Sequence, residues 1–177
     1  DPAPAISILD ASVREGDTGT TDAVFTVNLS AASGKAVSVA FTTINETAIP
    51  GSDYAPASGT LTFNPGETIK TIIVQIIGDA AVEPDESFLV SLSNPVNASI
   101  ARGQGGGTIL NDDLPLAITA QPQSQTVTLG GTASFTATAA GSGTLVYQWR
   151  LNGVPLSGAT SASSASPFRQ IGRARAA

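Results

Sequence analysis

The chain has 177 residues and contains no Cys, no His and no Met, which excludes disulfides, thiolate or imidazole metal sites, haem ligation and every nucleophilic triad built on histidine. A formal net charge of −6 argues against a nucleic-acid partner, and the chain holds neither an apolar run of about 18 residues nor a charged-then-apolar leader, so no membrane span or signal peptide is expected in it. The start at Asp1-Pro2-Ala3-Pro4 reads as a piece of a longer chain whose export signal, if it has one, lies elsewhere.

In chain order, short β-branched runs alternate with turn chemistry, the pattern of an antiparallel sandwich. Strands are expected over 5–13, 23–29, 37–43, 59–63, 68–77, 88–92 and 107–110, and no segment carries the three-to-four apolar spacing of a helix. Asn64-Pro65-Gly66-Glu67 reads as a hairpin turn between the fourth and fifth strands, with proline presetting φ and glycine accepting a positive one. The run Ile72-Ile73-Val74-Gln75-Ile76-Ile77 is apolar on nearly every residue, so that strand is expected at the centre of a sheet, covered on both faces. Arg102-Gly103-Gln104-Gly105-Gly106-Gly107 precedes a strand and lacks a Gly-Lys-Ser/Thr ending, so it reads as a mobile turn and not a phosphate loop.

The charges are distributed unevenly. All 14 acids lie in 1–113, with only Arg14, Lys35, Lys70 and Arg102 against them, whereas 114–177 hold no acid and four arginines (Arg150, Arg169, Arg173 and Arg175). Two units are therefore expected, divided at Asp113-Leu114. If seven strands alternate in direction, the connections fall at opposite ends of the sandwich. One end then collects Glu15, Asp17, Asp22, Glu46, Asp53, Asp79, Glu83, Asp85, Glu86, Asp112 and Asp113, with Arg14 as the single base, while Glu67, Lys35, Lys70 and Arg102 fall at the other. Crowded carboxylates repel one another and raise each other's pKa. Such a pole is either a solvated acidic surface or the oxygen-ligand set of a hard divalent cation, for which calcium suits better than magnesium, zinc or copper. A paired-carboxylate glycosidase would need an aromatic sugar platform, and Tyr54 is the only aromatic in these loops, so no enzymatic activity is expected.

The motifs Glu15-Gly16, Gly51-Ser52-Asp53-Tyr54, Gly59-Thr60-Leu61-Thr62-Phe63 with Pro65-Gly66-Glu67, Ile77-Gly78-Asp79 with Glu83-Pro84-Asp85-Glu86-Ser87-Phe88, and Gly107-Thr108-Ile109-Leu110-Asn111-Asp112-Asp113 occur in this order. Through them residues 6–113 resemble a Calx-beta domain, a calcium-binding β-sandwich. The resemblance implies Ca2+ held at the tip by Glu15, Asp53, Asp79, Glu83, Glu86, Asn111, Asp112 and Asp113. It also implies fewer ions or weaker affinity than in the richest binders, which carry Asp where Gly78 and Asn111 stand here.

Residues 116–159 are similar to the first half of a bacterial immunoglobulin-like domain, through Gln121-Pro122, Phe135, Tyr147-Gln148-Trp149 and Asn152-Gly153. Strands are expected over 118–127, 133–139 and 145–151, with Trp149 in the core. Beyond residue 159 the pattern dissolves, and no strand is expected. The sequence therefore reads as an all-β chain: a seven-stranded immunoglobulin-like antiparallel sandwich (1–113), an incomplete second sandwich (114–160) and a disordered or aberrant Arg-containing tail (161–177). The function expected is that of a calcium-binding structural or adhesion module of an extracellular or cell-surface protein, bacterial and repeated in kind. Its partners would be calcium, neighbouring sandwich domains and a cell-surface or matrix ligand. A calcium-sensing regulatory domain and an accessory domain of a secreted hydrolase are the alternatives.

Overall fold

A computed structural model describes residues 3–167 and 174–176. Among the described residues there is no helix, and the chain divides into two units, Asp1–Asp113 and Leu114–Ala177.

The first unit is built from β1 (Ala5–Ile8), β2 (Ala11–Arg14), β3 (Gly19–Leu29), β4 (Val37–Asn45), β5 (Ser58–Phe63), β6 (Ile69–Gly78), β7 (Glu86–Val96), β8 (Ser99–Arg102) and β9 (Gln104–Leu110). They form a four-stranded sheet, β6-β3-β1-β8, and a five-stranded sheet, β2-β9-β7-β4-β5. Alternating side chains fill the space between the sheets. Phe25, Val27, Val74 and Ile76 from one sheet and Val37, Val39, Phe63, Phe88 and Val90 from the other belong to a single buried core. Period-two alternation is what lets each strand bury one face.

Four expectations are corrected here. The stretch 5–13 is not one strand. It breaks at Leu9-Asp10 and crosses between sheets, β1 pairing with β3 and β2 running parallel to β9. Asp10 Oδ1 holds the crossing by accepting the Gly106 N–H at 2.7 Å and an Arg102 guanidinium N–H. Secondly, the isoleucine-rich run is an edge strand. β6 has β3 on one side only, Ile72, Val74 and Ile76 are buried, and Ile69 and Ile73 are more than half exposed. Local hydropathy does not encode sheet order, and an edge strand can carry apolar residues outward.

Thirdly, Asn64–Glu67 is a tight turn, with Gly66 at φ 89° and Glu67 N–H donating to the Asn64 carbonyl at 3.0 Å. It joins strands of different sheets and closes no hairpin. Fourthly, Gln104 to Gly107 lies in β9 and is not a mobile turn. A β-carbon on Gly107 would stand 2.5 Å from the Phe88 ring, and one on Gly105 would stand 2.8 Å from the Leu9 carbonyl oxygen. The glycines serve close packing inside a sheet, the role a glycine takes in a strand where another group must approach.

The second unit contains β10 (Ala117–Ala120), β11 (Thr132–Thr136), β12 (Thr138–Ala140), β13 (Trp149–Leu151), β14 (Val154–Pro155), β15 (Ser163–Pro167) and β16 (Ala174–Ala176). They form small sheets, β10-β12, β11-β15 and β14-β13-β16. Trp149 is buried, as expected: its Nε1–H donates to the Ser161 carbonyl at 2.8 Å, and its ring lies 6.3 Å from that of Phe135. The expected strands are shorter than read, with 121–131 and 145–148 outside any strand. The absence of strands beyond residue 159 is corrected by β15 and β16. β15 pairs with β11 from Thr132↔Pro167 to Thr136↔Ser163 through backbone groups, which need no hydrophobic alternation in the side chains. The reading of the tail as disordered falls for the rest on residues 168–173 and 177, outside the described residues.

Candidate metal centre

The acidic residues come from four connections and are braced by backbone donors. Glu15 follows β2; its N–H donates to the Leu110 carbonyl at 3.3 Å, and the next N–H, of Gly16, donates to Asp112 Oδ1 at 3.0 Å. This ties the first loop to the segment after β9. Asp53 closes a turn after β4: its Oδ2 accepts the Ile49 N–H at 2.6 Å, and its carbonyl accepts the Ile77 N–H at 2.9 Å, anchoring it on the end of β6. Asp79 leaves β6 and folds back on its own loop, Oδ1 accepting the Ala81 N–H at 2.7 Å, an Asx-type turn. Glu86 opens β7, opposite Ile109 of β9.

Asn111 is a brace. Its Oδ1 accepts the Glu83 N–H at 3.4 Å, and its Nδ2 donates to the Asp113 carbonyl at 3.3 Å. Its own N–H donates to Asp85 Oδ1 at 3.0 Å. The bracing roles of Asp85 and of the Gly16 and Ile49 amides carry no signal in the sequence, because each depends on a partner far along the chain or on the shape of a loop.

Electrostatics shows which carboxylates meet. The Glu15 carboxyl is pushed up to about 7, first by burial and then by the charges of Asp113, Asp79, Glu83 and Asp112. Glu86 is likewise pushed up to about 7, first by burial, then by a hydrogen bond and charge from Asp53 and by the charges of Glu83 and Glu15. The seven expected acids (Glu15, Asp53, Asp79, Glu83, Glu86, Asp112 and Asp113) thus form one electrostatically linked cluster. Glu67, at the other end, pairs with Lys70 at 2.8 Å.

Asp113 is the most informative member. It is 4% exposed, and neither carboxylate oxygen has a hydrogen-bond partner. A buried carboxylate left this way is costly unless a charge or donor meets it. Among the described residues no three acidic side chains are closed around one point as a finished cage. Their like charges oppose closure, and a counter-charge would favour it. The donors are all oxygens, so the set fits a hard divalent cation and not a soft one.

A pH dependence follows. Between the ordinary glutamate value of 4.5 and about 7, the folded protein holds protons on Glu15 and Glu86 that the unfolded chain has released. Stability is therefore greatest near and below pH 4.5 for these two groups and is lost as pH rises through about 7. In a chelating buffer the melting temperature is expected to be higher at pH 5 than at pH 7.5, and Glu15→Gln should flatten that difference.

The family described as Calx-beta domain matches residues 5–113. Over 93 residues, 52% of this chain, the sequence is 45% identical to Sodium/calcium exchanger 1 of Canis lupus familiaris. Over 97 residues, 54% of this chain, it is 37% identical to Sodium/calcium exchanger 3 of Mus musculus. In both cases the match spans 10% of the exchanger's length. Among solved structures, the apo-form Calx CBD1 domain superposes with a TM-score of 0.52 at 24% identity, covering 62% of this chain and 99% of that one. The calcium binding domain CBD12 of CALX1.1 superposes with a TM-score of 0.55 at 22% identity, covering 97% of this chain and 74% of that one.

Proposed function

Since this chain belongs to the Calx-beta family through residues 5–113, we propose that its acidic tip binds calcium, with Glu15, Asp53, Asp79, Glu83, Glu86, Asp112 and Asp113 as the ligand set and Asn111 as the brace that holds Glu83 and Asp113 in place. The observation that carries this reading is the buried, unpartnered carboxylate of Asp113 beside a Glu15 pushed up to about 7. A divalent cation would supply the positive charge that this pocket's own residues do not. It would draw together chain segments far apart in sequence, so binding would stabilise the folded unit. At a calcium concentration ten times the dissociation constant the gain is about 1.4 kcal/mol.

The ligand set ends at Asp112-Asp113, and Leu114 begins the second unit. Calcium held there would order the segment that leads into it, and this supports a structural role in a multidomain protein, of an extracellular or surface kind. The second unit, with its buried Trp149, would be an immunoglobulin-like neighbour. A regulatory, calcium-sensing role is the second reading, favoured by the identity to sodium/calcium exchangers. Affinity separates the two: a structural extracellular module binds at about 0.1–1 mM, a sensor at about 0.1–10 μM.

Calorimetric titration of the chain with calcium is the test. Heat of binding is expected for the unsubstituted protein, weaker binding for Asp53→Ala and Asp112→Ala, and no change for Glu67→Ala. A titration without heat, with a melting temperature equal in calcium and in chelator, would overturn the reading.

A further inference from the structure

The Glu15 loop rests directly on the end of β6. Gly78, the last residue of that strand, pairs with Gly19 at the start of β3. A β-carbon built on Gly78 would lie 2.6 Å from the Glu15 carbonyl oxygen and closer still to that of Gly16. Both obstacles are backbone, not the yielding tip of a long side chain, and β-carbons do not approach other atoms within 3.0 Å. The Glu15–Gly16 peptide is pinned on its other sides as well. Thr21 Oγ1 donates to the Glu15 carbonyl at 3.2 Å, and Gly16, itself at φ 79°, donates its N–H to Asp112 Oδ1. These contacts hold the loop against the end of β6, and it carries the 6% exposed side chain of Glu15 into the cluster.

We propose that Gly78 is a positioning residue for the cation site: its bare backbone is the seat that sets the depth of Glu15. This rests on the calcium reading above. Counting charges alone, an aspartate at position 78 would add a ligand and strengthen binding. The geometry reverses that expectation, because any β-carbon displaces the Glu15 and Gly16 carbonyls before its carboxylate can contribute. Gly78→Ala and Gly78→Asp both weaken calcium binding, each by about tenfold, the scale of losses seen when groups that orient metal ligands are disturbed.

Calorimetric titration with calcium of the full chain, Gly78→Ala, Gly78→Asp, Glu15→Gln and the Gly78→Ala/Glu15→Gln double variant tests this. The expected result is weaker binding in both Gly78 variants and a less than additive loss when Gly78→Ala is combined with Glu15→Gln, since the effect runs through the Glu15–Gly16 peptide that carries Glu15. A merely structural weakening would add in the double variant. Additive losses, unchanged affinity in Gly78→Ala, or tighter binding in Gly78→Asp would each overturn the proposal. If Gly78→Ala does not fold in chelator, Thr21→Val takes its place by removing the hydroxyl tether of the same carbonyl, with weaker, non-additive binding again expected. If the unsubstituted chain itself shows no calcium heat, the calcium reading fails. If it binds and the Gly78 variants bind equally well, only the seat is wrong.

Discussion

Asp113→Asn is expected to raise the melting temperature of the chelated protein and at the same time to weaken calcium binding. The substitution keeps the shape of the side chain and removes its charge. In the metal-free protein that charge is buried, has no hydrogen-bond partner and contributes to the rise of Glu15 to about 7. Replacing it with an amide removes a repulsion and supplies N–H donors to a pocket rich in acceptors, so the folded state gains. Each kcal/mol so gained appears as about 4 °C in a unit of this size. If calcium binds as proposed, the same carboxylate would be an anionic ligand, and its loss is expected to weaken binding by about ten- to a hundredfold. Melting curves in chelator and in excess calcium, with calorimetric titration, read both halves. If the variant is less stable in chelator as well, Asp113 acts as a structural residue, and its burial is no sign of a cation.

Phe88→Ala carries the largest expected loss of stability, about 3–5 kcal/mol. The ring is fully buried, stacked on Tyr54 at 4.6 Å and 14°, set edge-on to Phe25 at 5.8 Å and 70°, and packed against Gly107. Phe88 sits two residues after Glu86, and Tyr54 directly follows Asp53, so the stack also ties together two segments of the acidic cluster. Calcium affinity is expected to fall with stability, unlike in Asp113→Asn, where the two move apart. Chemical denaturation followed by far-UV circular dichroism measures the loss. Trp149, the single tryptophan, lies in the second unit and does not report on this core.

How far the fold could be read depended on the kind of information each element carries. The runs over 23–29, 37–43 and 88–92 lie within β3, β4 and β7, because alternation is a local property that survives any sheet order. Strand 5–13 was misread at Asp10, whose role is to accept hydrogen bonds from Gly106 and Arg102 some 90 residues away. The isoleucines of β6 carry no sign that the strand is an edge, and nothing local marks the glycines of β9 as a strand, since the need for them lies in the close approach of Phe88 at Gly107 and of the Leu9 carbonyl at Gly105.

What the amino-acid sequence determined by itself was the sandwich class, the chemistry of the donors and the end of the molecule at which they gather. Composition excludes imidazole and sulfur ligands outright, and the alternation of strand direction sorts loops to two poles however the sheets are ordered. Only the tertiary structure decided which carboxylates act on one another, that Asp113 is sealed without a partner, that Asn111 braces its neighbours, and that Gly78 lies against the Glu15 and Gly16 carbonyls. Each of these is a matter of burial or close approach between residues tens of positions apart, and such contacts exist only once the two sheets have packed.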